Sequence, residues 1–212
     1  MTRTKTTTSA ALLVSAALLL AGCGGQSDDT AASGDAGSSS SSSPSASAPA
    51  ADAPDVEPAS GESITGTGYT FSVPEGWAIP DQELPGMDQV DVFVANLTDA
   101  SADGFADNVN VVLSPAPQAI SADDIEEFGV AELEEQGGAT DVAVQERTSI
   151  AGAESAHITA AVTQQGVTYN VDQFYPSNDD QTYVVTFSFS PEVTDADRAA
   201  VYDAVLASWA WA

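Results

Sequence analysis

The chain has 212 residues, 32 of them Asp or Glu and four Lys or Arg, for a formal net charge of −28. A field of that sign repels nucleic acid and anionic lipid head groups, so binding to either through a basic patch is excluded. With one Cys the chain makes no internal disulfide, and its stability must come from an apolar core.

The first element is a leader. Arg3 and Lys5 give a positive start, and Ala10 to Ala21 form an apolar run interrupted by Ser15. As a helix that run would reach only about 18 Å, well short of the roughly 30 Å of hydrocarbon a spanning helix must cross. It therefore reads as a secretory signal over residues 1–22, and the missing Arg-Arg pair favours the general secretory route. Leu20-Ala21-Gly22-Cys23 closes the run and resembles a bacterial lipobox. The resemblance implies that signal peptidase II recognises Leu20, Ala21 and Gly22 and cuts before Cys23. The Cys23 thiol would then carry a diacylglyceryl group and the new amino group a further acyl chain such as palmitate. Two or three chains, at ~0.8 kcal/mol per buried methylene, would hold the protein on the outer, extracytoplasmic face of the cell membrane. Once Arg3 and Lys5 are removed, 32 acids face only Arg147 and Arg198, a net of −30. The acids could serve a cationic partner or metal sites, but they are dispersed along the chain, which favours solubility or salt adaptation of the whole surface.

Residues 23–65 follow as a linker. From Gly24 to about Ser60 the chain is rich in Ser, Ala, Gly, Asp and Pro, with serines unbroken from Ser38 to Ser43. It has almost no apolar side chain larger than Ala before Val56, so it cannot offset the entropy of ordering and is expected to be disordered. A flexible coil of that length spans roughly 35 Å, enough to let a domain clear a membrane surface.

From Gly66 to Ala212 aromatic and β-branched residues appear, and the length suits one domain. Tyr69, Phe71 and Val73 alternate with Thr70 and Ser72, which predicts a half-buried strand ended by Pro74-Glu75-Gly76. Val90 to Leu97 is apolar at nearly every position, as a central strand covered on both faces would be. Asn108 to Ser114 alternates again, with Val109, Val111 and Leu113 inward. Ser121 and Asp124 form a capping box for a helix over Ala122 to Gln136. Ile125, Phe128 and Leu133 make its apolar stripe, Glu126, Glu127, Glu134 and Glu135 its wet face, and Gly137-Gly138 its stop. Four strand-like runs then predict a meander: Asp141 to Ile150, Ala153 to Thr163, Val167 to Tyr175 and Gln181 to Ser190. Tyr183, Val185, Phe187 and Phe189 share one face of the last of these. Thr194 with Asp197 caps a final helix whose Val201, Val205 and Trp209 fall on one stripe. Arg198 sits near its start, where the dipole disfavours a cation, so a carboxylate partner is expected.

The run Tyr69-Thr70-Phe71-Ser72-Val73-Pro74-Glu75-Gly76-Trp77, an early helix, a long meander and a last helix ending in Ser208-Trp209 resemble the PsbP-like superfamily, in particular actinobacterial LpqN-type lipoproteins. The resemblance covers residues 66–212. It implies an α+β fold, an antiparallel sheet of about six or seven strands with helices packed on its faces, in a group that acts mostly by binding partners.

Chemistry-bearing candidates are few. The single His, His157, shares a strand face with Ser155, Thr159 and Thr163 and is expected to face solvent. No hydrolase, P-loop or metalloprotease motif is present, and Gly66-Thr67-Gly68 starts a dinucleotide-like pattern that Phe71 breaks. The metal-like stretch runs from Asp99 to Asn110. Asp99, Ser101, Asp103 and Asp107 occupy loop positions 1, 3, 5 and 9 with Gly104 at 6, as in calcium loops, but Asn110 stands where a bidentate Glu belongs. The expectation is therefore a membrane-anchored, extracytoplasmic, non-enzymatic binding or assembly module with no cofactor. Its partner would be an envelope protein or cell-wall component. The alternatives are a small-ligand or calcium-binding envelope protein and a carboxylate-based hydrolase.

Overall fold

Alternation of apolar and polar side chains at Tyr69–Ser72 produces a strand, as expected, but that strand belongs to a small sheet of its own. The computed structural model describes residues 56–81, 86–98, 105–135, 138–164 and 166–212. In chain order the first elements are β1 (Ser63–Gly66), β2 (Tyr69–Ser72), β3 (Trp77–Ala78), β4 (Val90–Asn96), β5 (Asn108–Leu113) and α1 (Ala122–Glu135). Then come β6 (Ala139–Val144), β7 (Thr148–Ile150), β8 (Ala153–Ser155), β9 (His157–Gln164), β10 (Val167–Phe174), β11 (Tyr183–Phe189), α2 (Asp195–Ala207) and β12 (Ala210–Trp211).

A seven-stranded sheet in the order β3-β4-β5-β11-β10-β9-β6 forms the centre, each neighbour antiparallel to the next. This is the expected α+β class. The register sets Phe187 of β11 opposite Val109 of β5 and Asp172 of β10, so those three side chains share one face. On that face Val92, Val94, Val109, Val111, Val185 and Phe187 pack against Tyr69, Phe71, Val205 and Leu206, contributed by the small sheet β1-β2-β12 and by α2. On the other face Val112, Ile158 and Val184 pack against Ile125 and Leu133 of α1. Covering on both sides explains why every residue of β11 is buried and why Val92 to Ala95 of β4, although next to the edge strand, are all apolar and buried.

Two expected strands are each divided. Gln145 to Arg147 separates β6 from β7, and Ala156 separates β8 from β9. The cause is that β7 and β8 pair with each other instead of extending the sheet. Their turn places Ala151 at φ 48° and Gly152 at φ 85°, the primed two-residue type that suits the twist of a hairpin. Part of the stretch that composition groups with the linker is also folded: β1 starts at Ser63, and the Ala59 N–H donates to the Ala204 carbonyl of α2.

The last helix begins where its cap predicts, with the Thr194 hydroxyl accepting from the Asp197 N–H at 3.2 Å. It ends two residues before Trp209, because the Ser208 hydroxyl donates to the Val205 carbonyl at 2.6 Å and accepts from the Ser72 N–H at 2.8 Å. The chain then turns into β12, which pairs with β2. Trp209 stays buried nonetheless, stacked on Tyr69 at 4.3 Å and on Phe71 at 5.5 Å.

Candidate functional site

An apolar concavity lies between α1 and the sheet. Its walls come from β5 (Val112, Leu113), β11 (Val184), the approach to the helix (Ile120) and α1 itself (Ile125, Phe128), around an open hollow of about 40 Å³. Local sequence builds it. Ser121 caps α1 by accepting from the Asp124 N–H at 3.2 Å, and the Ile120 N–H donates to the Thr182 hydroxyl at 2.8 Å, fixing where the helix starts relative to β11. At Gly129 a Cβ would stand 2.8 Å from Ile158 Cδ1, so the missing side chain lets α1 lie close to the sheet. Phe128, expected on the inward stripe, is instead 54% exposed at the groove; the inward residues are Ile125, Gly129 and Leu133.

Behind the groove wall lies a buried polar chain that starts at Tyr175, one of the lining residues. The Tyr175 hydroxyl donates to Gln173 Oε1 at 2.9 Å, and Gln173 Nε2 donates to the Thr186 hydroxyl at 3.0 Å. Burial, with a smaller contribution from the Glu132 carboxylate, pushes the Tyr175 phenol well above its ordinary value, so it remains a neutral donor. Asp124 and Glu132 also line the groove, and among the described residues no Lys or Arg does.

A second polar cluster lies under α2. His157 is not solvent-facing as expected: it is 7% exposed, stacked on Phe174 at 4.2 Å and edge-on to Tyr202 at 5.4 Å. Its Nε2 lies 3.1 Å from Asp172 Oδ1. The other oxygen, Oδ2, accepts from Arg198 Nε at 3.0 Å, and Arg198 also reaches Asp195 at 3.2 Å. The polar strand face is thus real, but α2 covers it, and Arg198 has the carboxylate partner its place near the helix start demands. Burial also raises the Asp203 carboxyl above its ordinary value, an effect that His157 partly offsets. A His–carboxylate pair is the unit from which a general base is made, yet a base must come within about 3 Å of a substrate proton, and here both groups are packed under α2. The geometry serves to fasten the helix to the sheet.

The remaining candidates separate. Leu20, Ala21, Gly22 and Cys23 lie outside the described residues, as do Asp99, Ser101 and Asp103. Asp107 is described, and it turns inward: its Oδ1 accepts from the Ser190 N–H at 2.8 Å. Among the described residues no three His, Cys, Asp or Glu side chains are grouped to hold a metal ion. Gly66-Thr67-Gly68 is the β1–β2 hairpin turn, and it is held by Asp91, which accepts from the Thr67 N–H at 2.8 Å, the Thr67 hydroxyl at 2.7 Å and the Tyr69 hydroxyl at 2.8 Å. Burial alone would raise the Asp91 carboxyl, but these bonds outweigh it and hold it below the usual range. Glu126, expected on the wet face, bonds Arg147 together with Asp123 and Glu154, tying the start of α1 to the β7–β8 hairpin.

Sequence reasoning missed the groove. Gly129 was its one available signal, since a Gly inside a helical pattern costs about 1 kcal/mol relative to Ala and marks a close approach.

No protein-family model matches the sequence, and no curated protein matches it. Among solved structures, the chain is similar to cyanobacterial PsbP (CyanoP) from Synechocystis, with 19% identity and a TM-score of 0.49 over 78% of this chain and 100% of that one. It is similar to LpqN, involved in cell envelope biogenesis of Mycobacterium tuberculosis, with 12% identity and a TM-score of 0.45 over 69% of this chain and 84% of that one. A protein from Bacteroides thetaiotaomicron matches 72% of this chain at 10% identity and a TM-score of 0.45, and the match spans about half of that protein's length, 48%. No residue role passes from these likenesses to this chain.

Proposed function

We propose that the chain is a lipid-anchored, extracytoplasmic protein that works as a non-enzymatic binding or assembly module of the cell envelope, with the groove beside α1 as its binding surface. The observation that carries this reading is the groove itself: a preformed apolar concavity with a large exposed aromatic, Phe128, on its wall. The Leu20-Ala21-Gly22-Cys23 tetrapeptide supports the address. The burial of His157 and Asp172 beneath α2 favours a structural role for the one His–carboxylate pair.

Crosslinking in the native cells tests both halves, with wild type, Cys23→Ser and Phe128→Ala compared after fractionation. Wild type is expected in the membrane fraction with one reproducible envelope partner. Cys23→Ser is expected in the medium or as unprocessed precursor, and Phe128→Ala in the membrane without the partner. Processed Cys23→Ser protein retained on the membrane would overturn the anchor. Undiminished capture by Phe128→Ala would overturn the groove.

A further inference from the structure

We infer that the occupant of the α1 groove is a segment of a partner protein that presents an apolar side chain flanked by lysine or arginine. The inference rests on reading the groove as a binding surface and adds the chemistry of what enters it.

Three observations carry it. The interior is apolar, lined by Val112, Ile120, Ile125 and Val184, which suits a hydrophobic side chain and leaves nothing inside for a charge to pair with. The helix side is different: Asp124, Phe128 and Glu132, all lining the groove, are spaced i, i+4 and i+8 and so form one stripe on α1. The two carboxylates are about 12 Å apart along the helix at 1.5 Å per residue, with an exposed aromatic between them. A cation over the Phe128 ring would gain from the ring face and from an acid on either side. The third observation is the charge of the surroundings. Half of the fourteen α1 residues are acidic and none is basic.

The same field argues against other occupants. A second copy of a chain at −28 is repelled, as is an anionic lipid head group. A neutral apolar segment would fill the interior but gain nothing from the acidic stripe. A basic, apolar-anchored segment uses both, and charge complementarity would also speed its encounter with the groove.

The test is a titration of the full chain with three peptide probes at about 0.15 M ionic strength, where long-range attraction is screened beyond ~8 Å. The probes are acetyl-Lys-Lys-Leu-Phe-Lys-Lys-amide, the same peptide with Gly-Gly in place of Leu-Phe, and the same with Glu in place of every Lys. Calorimetry gives the affinity, and amide chemical shifts give the location. The Lys-Leu-Phe peptide is expected to bind and to perturb residues 124–132, with the other two at least roughly tenfold weaker. Phe128→Ala should weaken it about tenfold, and Glu132→Gln about two- to fivefold, as for one partly exposed ion pair. Glu192→Gln, in the exposed turn before α2 and outside the groove, should leave the affinity unchanged. Both groove substitutions are at side chains that keep contact with solvent, and an unchanged melting curve confirms that the fold is kept.

Equal binding of the Gly-Gly peptide, or unchanged binding to Phe128→Ala, overturns the proposal by showing attraction to the acidic surface as a whole. Equal binding of the Glu peptide, centred on residues 124–132, overturns the charge requirement while the groove still stands as a binding surface. Absence of binding by the Lys-Leu-Phe peptide overturns the proposal, and the groove is then judged separately by partner capture at Phe128. Self-association that Phe128→Ala abolishes overturns it in favour of a second copy.

Discussion

Asp203 and Asp91 respond to the fold in opposite directions. Burial raises the Asp203 carboxyl, so its ionisation works against folding. Its contribution is fully present below the unfolded value, about 3.9, and is lost as pH rises through the folded one. Asp203→Asn should therefore raise the melting temperature at pH 7, and the gain should vanish below about pH 4. Asp91 is held low by Thr67 and Tyr69, so its contribution is present above about pH 3.9 and is lost as pH falls through the folded value. Asp91→Asn should lower the melting temperature at pH 7, with the deficit shrinking in acid. Melting curves of both variants from pH 3 to 8 check the signs, and shifts of the same sign in the two would contradict the assignment. At this scale the sequence was partly legible. A cation at a helix start implies a carboxylate, and Arg198 has one in Asp172. The burial of His157 could not be read, because period-two alternation separates the faces of a strand without saying what covers them, and the cover comes from α2, about forty positions along the chain.

At the scale of elements, caps and alternation located both helices and most strands, since Ser121–Asp124 and Thr194–Asp197 are local signals. What local signals omit is partnership. The strand at Tyr69 belongs with the chain terminus and not with the large sheet, and β12, only two residues long, has no periodicity to find. The groove is a property of this kind too: it exists because α1 stands against β5 and β11, a pairing written nowhere within the helix. Trp209 shows how much rests on such a junction. It joins α2 to the small sheet by stacking on Tyr69 and Phe71, while its Nε1 is buried without a hydrogen-bond partner among the described residues. Trp209→Ala should cost about 3–5 kcal/mol, the usual cost of emptying a large aromatic site. Trp209→Phe should cost clearly less, because it keeps stacking area and removes a donor that forms no bond. Chemical denaturation of the two variants measures both, and equal losses would show that the indole N–H matters after all.

The whole molecule is governed by its charge. At −28 self-repulsion opposes the compact state, and added salt screens it over a Debye length of ~8–10 Å. The melting temperature is expected to rise with NaCl, and a flat or falling dependence would show that the dispersed acids are compensated locally. That acidity was legible from composition alone, and the fold class from the run of predicted elements and the family resemblance they carry. The binding surface was not, and the functional account depends on it. Its most direct test is site-resolved: a photo-crosslinking side chain placed at Phe128 or, as a control, at Ile79, which is as exposed and lies outside the groove, in the anchored protein in its own cells. The account predicts that position 128 captures one envelope protein reproducibly and position 79 does not; equal capture from position 79, or none from 128, would contradict it.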